Sequence, residues 1–176
     1  MLLDDEYGCP RLPLKVEPWE VSRSPKSKCL LTEEIGSNLA SMHAASTPQL
    51  FRHAARTLTY IWAMDSEGAM HVAVEELAEM PDGTRVEGYP RRRNFPVHPS
   101  EEKKLGHPTL LDAGEARVAG ELFLDEKEGN LYWFVNVSSG RYCRIEQPSE
   151  VNVSNVVKWF REIAHVDVRL DDIREG

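Results

Sequence analysis

The sequence has few cysteines and no long apolar run. Its three cysteines, Cys9, Cys29 and Cys143, are widely spaced and odd in number, which excludes a disulfide scaffold and favours reduced thiols. No apolar stretch approaches the roughly 20 residues that a membrane-spanning helix needs. The first residues are acidic, whereas a secretory signal begins with basic residues. We therefore expect a cytoplasmic protein, or one exported without a cleavable signal, and no membrane partner.

Positive charge is also scarce. The chain has 21 Lys and Arg against 29 Asp and Glu, a formal net charge of −8. Nucleic-acid-binding domains are usually basic, because neutralising phosphates supplies most of their affinity. Nucleic acid is therefore disfavoured as a partner, while a local basic patch can still bind a small anionic ligand or an acidic protein.

Sequence motifs of known chemistry are absent. There is no glycine-rich phosphate loop ending in Lys-Ser/Thr, no Gly-x-Ser-x-Gly, no His-Glu-x-x-His and no pair of Cys-x-x-Cys. No residues have the spacing of metal ligands, so we expect neither a metal nor a cofactor. Any enzyme built on this chain would have to use dispersed residues, and whether it is an enzyme stays open at this point.

The apolar spacing predicts an α+β fold, because it changes between helical and strand periods along the chain. The length of 176 residues suits one domain. Prolines at positions 10, 13, 18 and 25 disfavour helices and central strands, so residues 1–28 are expected to form an extended, Pro-rich arm. Residues 29–176 are expected to form a single α+β domain.

Three helices are predicted from apolar spacings of three and four. The first short helix follows Thr32 as its N-cap, and the second follows Thr47 as its cap, with Pro48 at its first position. The third is an amphipathic helix near the C-terminus that opens at Pro148 and Ser149. We expect these two short N-terminal helices and one C-terminal helix to flank a sheet.

Two β-hairpins and a short terminal strand are expected to form one antiparallel sheet. Alternating residues at 58–64 and 70–74 surround a turn, and a second pair of strands covers 118–124 and 131–137. The terminal strand is predicted around residues 166–170. Residues 77–106, which separate the hairpins, are expected to be irregular.

Two titratable residues are candidates for chemistry. His107 lies before a predicted strand, where a histidine can act as a base or as a hydrogen-bond donor near neutral pH. Glu121 lies among apolar residues of a strand, where burial would raise the pKa of its carboxyl. The structural alternatives are a histidine that fastens a turn and a glutamate that faces solvent.

A second group of candidates suits an anion. In Ser139 and Gly140, small side chains let backbone N–H groups turn toward a ligand, Arg141 can pair with phosphate or carboxylate, and Tyr142 can stack on a ring. Arg92 is the middle of three adjacent arginines and can meet a phosphate or an acidic partner. The alternatives are a strand-ending turn and a solvated run of charge.

Several short blocks follow one another in a fixed order between residues 58 and 173. They are Tyr-Ile-Trp-Ala-Met at 60–64, Gly-His-Pro-Thr-Leu-Leu-Asp-Ala-Gly at 106–114, Val-Ala-Gly-Glu-Leu at 118–122, Ser-Gly-Arg-Tyr at 139–142, Pro-Ser-Glu at 148–150, Asn at 152 and Val-Asp-Val at 166–168. This order resembles the C-terminal region of the plant IQ-motif calmodulin-binding proteins and similar uncharacterised bacterial and fungal effector-like domains.

The resemblance implies that His107, Gly120, Ser139, Gly140 and Tyr142 converge in one place. The family has Ser-Gly-His-Tyr where this chain has Ser-Gly-Arg-Tyr. Because arginine does not deprotonate in proteins, the substitution favours anion binding over acid–base work. The chain has no Ile-Gln-x-x-x-Arg motif, so the resemblance does not imply calmodulin binding.

Two functions follow as hypotheses. The first is a binding or regulatory, effector-like module whose cleft, formed by the His107 loop and the turn at 139–142, accepts an anionic group of a small ligand or a protein through Ser139, Gly140, Arg141 and Arg92. The alternative is a toxin-like transferase that uses a nucleotide-type donor such as NAD, with His107, Glu121 and Tyr142 as catalytic residues. A third reading gives the arm a purely structural role in assembly.

Overall fold

The elements of the fold are seen in a computed structural model that describes residues 2–44, 46–93, 103–142 and 148–171. The helices there are α1 (Leu3–Tyr7), α2 (Glu33–Ser41), α3 (Gln49–Arg56), α4 (Glu150–Glu162) and a 3-10 helix (His107–Leu111). The strands are β1 (Cys29–Leu30), β2 (Tyr60–Asp65), β3 (Met70–Val74), β4 (Glu76–Glu79), β5 (Arg85–Pro90), β6 (Lys103–Leu105), β7 (Ala116–Lys127), β8 (Asn130–Val135) and β9 (Val168–Leu170). The fold is α+β, as predicted.

The two predicted hairpins lie side by side in a six-stranded sheet of order β1-β3-β2-β7-β8-β9. Strands β2 and β3 form the first hairpin, β7 and β8 form the second, and β2 pairs antiparallel with β7 so that Trp62 lies opposite Gly120. The terminal strand is present, but β9 runs parallel to β8, so the prediction of a wholly antiparallel sheet is wrong. The reason is that α4 supplies a crossover connection, which parallel neighbours require.

The main core lies on one face of this sheet, under α2 and α4. Alternation along β2 places Tyr60, Trp62 and Met64 on this face, and the Trp62 ring packs edge-on against Phe160 of α4 at 5.6 Å. The indole N–H of Trp133 donates to the carbonyl of Leu39 at 2.9 Å, which ties β8 to α2.

The opposite face carries smaller side chains. Ile61, Ala63, Ala73 and Ala119 form a second buried cluster there with Leu110 and Tyr142. Because alanines leave space over a sheet, the 3-10 helix and the turn at 139–142 can pack closely on this face. Of the candidate residues of the sequence analysis, Tyr142 belongs to this cluster, and His107 begins the 3-10 helix that packs on it.

Two of the three predicted helix caps are confirmed. Thr32 accepts a hydrogen bond from the N–H of Ile35, and Ser149 forms a capping box with Asn152 at the start of α4. The cap at Thr47 is wrong: Pro48 is the N-cap of α3, and the helix begins at Gln49. The Thr47 hydroxyl donates instead to the carbonyl of Ser41 at 2.6 Å, at the end of α2, and so is not directed at α3.

The expectation of an irregular stretch at 77–106 is wrong for most of its described part. Strands β4, β5 and β6 form a second, three-stranded sheet of order β5-β4-β6, whereas residues 94–102 lie outside the described residues. Strand β5 is largely exposed and carries charged side chains, so it lacks the alternation by which a half-buried strand is recognised. His107 does not directly precede a strand as expected: it begins a 3-10 helix, and the next strand starts only at Ala116.

The extended arm is also wrong at its beginning, because α1 forms before the first proline and has three acidic residues in its first turn. Residues 8–28, which we call the N-terminal strap, lie against the rest of the chain. Arg11 forms a β-bridge with Ala116, and the Trp19 indole N–H donates to the carbonyl of Lys104. The strap thus reaches both sheets. In the described part of the chain, no helix is long and apolar enough to cross a membrane.

Candidate functional site

The His107 and Arg141 stretches meet in the structure, and Glu20 of the strap connects them. The Glu20 carboxylate accepts hydrogen bonds from the Gly106 N–H at 2.9 Å and from Nη1 of Arg141 at 2.9 Å. It also accepts one from the N–H of Glu17 at 2.7 Å. Two segments that are distant in sequence therefore share one buried carboxylate, which the sequence analysis did not include.

His107 is buried beside β7. The residue is only 8% exposed, and its Nε2 lies 2.9 Å from the carbonyl oxygen of Gly120. Since a carbonyl can only accept, Nε2 carries the proton and donates. Burial lowers the pKa of His107 to about 4, so the ring is neutral at neutral pH. The donor atom of this ring is thus used to hold the 3-10 helix on the sheet.

Ser139 and Tyr142 are likewise packed inside the molecule. Tyr142 is 1% exposed, its ring lies in the second cluster, and its hydroxyl donates to the carbonyl of Gly114 at 2.7 Å. Burial raises the pKa of this phenol, so it stays protonated. Ser139 is buried and accepts at its hydroxyl from the N–H of Arg141. Gly140 is exposed between them.

Arg141 already holds an anion, the carboxylate of Glu20. Its Nη1 also donates to the carbonyl of Lys15 at 3.0 Å, and Nη2 lies 3.8 Å from Glu17. The Glu20 side chain is 0% exposed, which makes this a buried ion pair. An external ligand at Arg141 would have to displace a carboxylate that accepts three hydrogen bonds, and bonds to charged groups contribute about 1.5–3 kcal/mol each.

Glu121 lies apart from that pair, in a group of charges around the buried Glu75. Burial raises the pKa of Glu121, the negative charge of Glu75 raises it further, and a long hydrogen bond of 3.4 Å from Asn136 opposes the shift. Glu75 in turn accepts from Lys104 at 2.5 Å and from Arg91 at 3.1 Å. Glu75 was not among the predicted residues, because its only signal in the sequence is its position next to an apolar strand.

The three adjacent arginines have separate roles. Arg92 is exposed and contributes a backbone bridge to Leu58. Arg91 pairs with Glu75, while the backbone N–H of Arg93 donates to the carbonyl of Thr57 at 2.8 Å. Arg93 is therefore fixed beside the end of α3, and it is this arginine that enters a cleft.

A cleft of about 340 Å³ opens between α3 and β7. It is lined by His53, Arg56, Thr57, Arg93 and Asp125. Two guanidinium groups share the single carboxylate of Asp125: Nη2 of Arg56 lies 3.3 Å from one oxygen, and Nη1 of Arg93 lies 3.2 Å from the other. Nη1 of Arg56 also reaches Glu126, at 3.2 Å.

Two carboxylates, those of Asp125 and Glu126, face the two arginines of the cleft. Partial burial alone would raise the pKa of Asp125, but the hydrogen bond from the N–H of Glu126 and the charge of Arg93 hold it below its ordinary value. Asp125 is therefore ionised at neutral pH, and it is the carboxylate that both Arg56 and Arg93 contact, whereas Glu126 contacts Arg56 alone. Each guanidinium has five N–H donors, more than Asp125 and Glu126 can occupy.

Sequence reasoning missed this cleft because its parts come from three separate segments. Arg56 ends a helix, Arg93 follows β5, and Asp125 lies near the end of β7. The only sequence signal was the run of three arginines, from which Arg92 was singled out. Within the described residues, no group of three or more His, Cys, Asp or Glu is placed to hold a metal ion.

Comparison with known proteins gives no relative from which a role could be transferred. No family model, no curated protein and no solved structure matches this chain. The resemblance to the C-terminal region of the IQ-motif proteins therefore stays a prediction, and the function has to be argued from the geometry of the chain itself.

Proposed function

We propose that the protein is a binding module for an anionic group, a phosphate or a carboxylate, and that the cleft between α3 and β7 is its binding site. The observation that supports this is the sharing of one carboxylate by Arg56 and Arg93 at the wall of an open cleft. A volume of about 340 Å³ lies in the range of small-molecule sites, which begins near 300 Å³.

Exposure favours this cleft over the site predicted around Arg141. The Asp125 side chain is 39% exposed, and ion pairs of that kind contribute only about 0–1 kcal/mol, so a ligand can exchange with it. Breaking a buried pair such as Arg141 with Glu20 costs about 3–5 kcal/mol, which a small anion would have to supply before it gained any affinity.

The burial of His107 and Tyr142 also favours a binding module over a transferase. The alternative transferase would need His107 and Tyr142 to reach an NAD-type donor, yet the donor atoms of both side chains are hydrogen-bonded to backbone carbonyls inside the protein. Glu121 remains partly accessible, but it accepts a hydrogen bond from Asn136 and lies near the negative charge of Glu75. No contact in the described residues favours the transferase, and it remains a hypothesis of the sequence.

The proposal can be tested by titrating the protein with inorganic phosphate while amide chemical shifts are recorded. We expect saturable shifts at the cleft and an affinity at least about fivefold lower in Arg93→Gln, since charge-assisted bonds to phosphate are lost. Asp125→Asn should raise the affinity, because it removes the internal competitor. These opposite signs at neighbouring positions are specific to an anion site.

Two exposed residues outside the cleft provide matched controls. Arg85→Gln removes one positive charge from the far end of β5, and Glu115→Gln removes one negative charge just before β7. Neither should change the phosphate affinity beyond the effect of net charge. If Arg93→Gln binds phosphate as the wild type does, or if Asp125→Asn binds it more weakly, the cleft is not the site. Loss of binding in Arg141→Gln with Arg93→Gln unaffected would instead support the site predicted from the sequence.

A further inference from the structure

The anion-binding cleft continues into a pair of aromatic rings on the same face of the sheet. Phe123 and Asp125 are two residues apart on β7, so their side chains point to the same face. Phe134 of β8 lies directly opposite Phe123 in the strand register. Their rings are nearly parallel, with an interplanar angle of 16° and centroids 5.7 Å apart.

Arg93 connects the cleft to this pair of rings. Its guanidinium carbon lies 4.4 Å from the centroid of the Phe123 ring, while its Nη1 contacts Asp125 in the cleft. The guanidinium therefore occupies the layer directly above Phe123, within the distance at which a cation is attracted to a ring face. The Phe134 ring stacks on that of Phe123, so the guanidinium and both rings form one group of flat surfaces beside the cleft.

The two rings are partly accessible, unlike their neighbours along the strands. Phe123 and Phe134 are half-buried, whereas Leu122, Leu124 and Trp133 are completely buried on the other face. Aromatic side chains beside cationic groups are an arrangement against which the bases of nucleotides stack.

From these contacts we infer that the ligand of the cleft is a small anion that carries a planar ring, a nucleotide-like or aryl phosphate being the type. Its anionic group would contact Arg56 and Arg93, and its ring would pack against the pair of Phe123 and Phe134. The inference rests on the proposed function, because it uses the same two arginines, and it adds the chemical class of the ligand.

The test compares four probes by the same amide-shift titration: inorganic phosphate, cyclohexyl phosphate, phenyl phosphate and AMP. We expect phenyl phosphate and AMP to bind about tenfold more tightly than inorganic phosphate, the gain expected for stacking one ring. Cyclohexyl phosphate has a similar apolar volume without a flat face, so it should gain much less. The ratio of phenyl phosphate to inorganic phosphate affinity is the quantity of interest.

Substitutions at two aromatic positions of β8 test which ring is responsible for that ratio. Phe134→Leu keeps an apolar side chain but removes the ring, so the ratio should fall toward one, and Phe134→Tyr should preserve it. Tyr132→Leu is the control, because that ring is already covered by Arg169, whose guanidinium carbon lies 3.2 Å from its centroid.

The outcomes separate the inference from the function on which it rests. If inorganic phosphate binds in the cleft but phenyl phosphate gains nothing, or if cyclohexyl phosphate gains as much, the ring is not part of the ligand while the anion site stands. If the ratio is unchanged in Phe134→Leu, the aromatic pair is not the platform. If none of the four probes binds, both the inference and the proposed function are wrong.

Discussion

At the scale of single residues, burial determines what each candidate side chain can do. His107 has an ordinary pKa close to neutrality, which makes histidine attractive as an acid–base group. In this protein its ring is enclosed, its Nε2 donates to Gly120, and its pKa is lowered to about 4. The same enclosure makes the residue a reporter of folding, because its protonation differs between the folded and unfolded chains.

This difference predicts a pH dependence of stability. The unfolded chain binds a proton at His107 near pH 6.5 and the folded chain only near pH 4, so the free energy of unfolding falls as the pH decreases through that interval. At pH 5 the loss should be about 2 kcal/mol relative to neutral pH, from the size of the shift. Urea unfolding at pH 7.5 and 5.0 measures it.

The matched variant is His107→Gln, which keeps a donor for the Gly120 carbonyl but does not titrate. The variant should lose about 2 kcal/mol less than the wild type between the two pH values. Equal losses in the two proteins would contradict the assignment of a neutral, buried imidazole at this position.

At the scale of elements, the parts that the sequence predicted are those that contribute apolar side chains to the buried clusters. Strand β7 alternates between buried and partly exposed residues along most of its length, and α4 has both a cap and an apolar face, whereas residues 60–64 of β2 are buried on both faces. Strand β5 was missed because it is exposed along most of its length, so no alternation marks it. The parallel pairing of β9 depends on a crossover, which local sequence does not encode.

The candidate site was predicted only in part, for a related reason. The approach of the His107 segment to the 139–142 turn was anticipated, but the partner of Arg141 is Glu20, in a segment expected to be an extended, Pro-rich arm. Long-range ion pairs such as this one, and the sharing of Asp125 by Arg56 and Arg93, arise from tertiary contacts between distant segments. No local pattern in the sequence reveals them.

Strand β7 carries a prediction at this scale. A Cβ added at Gly120 would lie 1.9 Å from the backbone oxygen of Asn136 and 2.8 Å from the ring of Trp62. Because neither atom can move far in a packed sheet, Gly120→Ala should lower the free energy of unfolding by about 3 kcal/mol or more, at the upper end for overpacked cores. Thermal or urea unfolding would show the loss.

Gly140 is the control for that substitution, since it lies in the same candidate region. No described atom lies within 4 Å of the position that its Cβ would take. We expect Gly140→Ala to change the free energy of unfolding by no more than about 0.5 kcal/mol. If the two alanine variants were equally stable, the close contact between Gly120 and the backbone of Asn136 would be wrong.

At the scale of the whole molecule, the N-terminal strap connects segments that are distant from one another in the sequence. Arg23 donates to the carbonyls of Ala78 and Val86 in the second sheet, and Trp19 donates to that of Lys104. Glu76 of β4 accepts from the backbone N–H groups of Lys26 and Ser27. Together with Glu20, these contacts make the strap a structural part of the domain that carries the cleft.

This arrangement predicts the effect of breaking the strap at its most buried contact. Glu20→Gln leaves the guanidinium of Arg141 without its carboxylate in a buried setting, which should lower the free energy of unfolding by about 3–5 kcal/mol. Leu14→Ser is the control, because Leu14 is an exposed strap residue and its substitution should cost no more than about 0.5 kcal/mol. Urea unfolding of the three full-length proteins compares them directly.

A truncated chain that begins at residue 29 tests whether the whole N-terminal segment stabilises the domain. Removing α1 and the strap together uncovers the N–H of Gly106, Arg141, the outer side of β6 and the side of α4 that α1 contacts, so the truncated chain should unfold at lower urea concentration than Glu20→Gln. The hypothesis that the arm serves only assembly makes the opposite prediction, in which the oligomeric state changes and stability does not. Sedimentation and unfolding measured on the same truncated protein decide between the two, because only a structural strap couples its removal to a loss of stability.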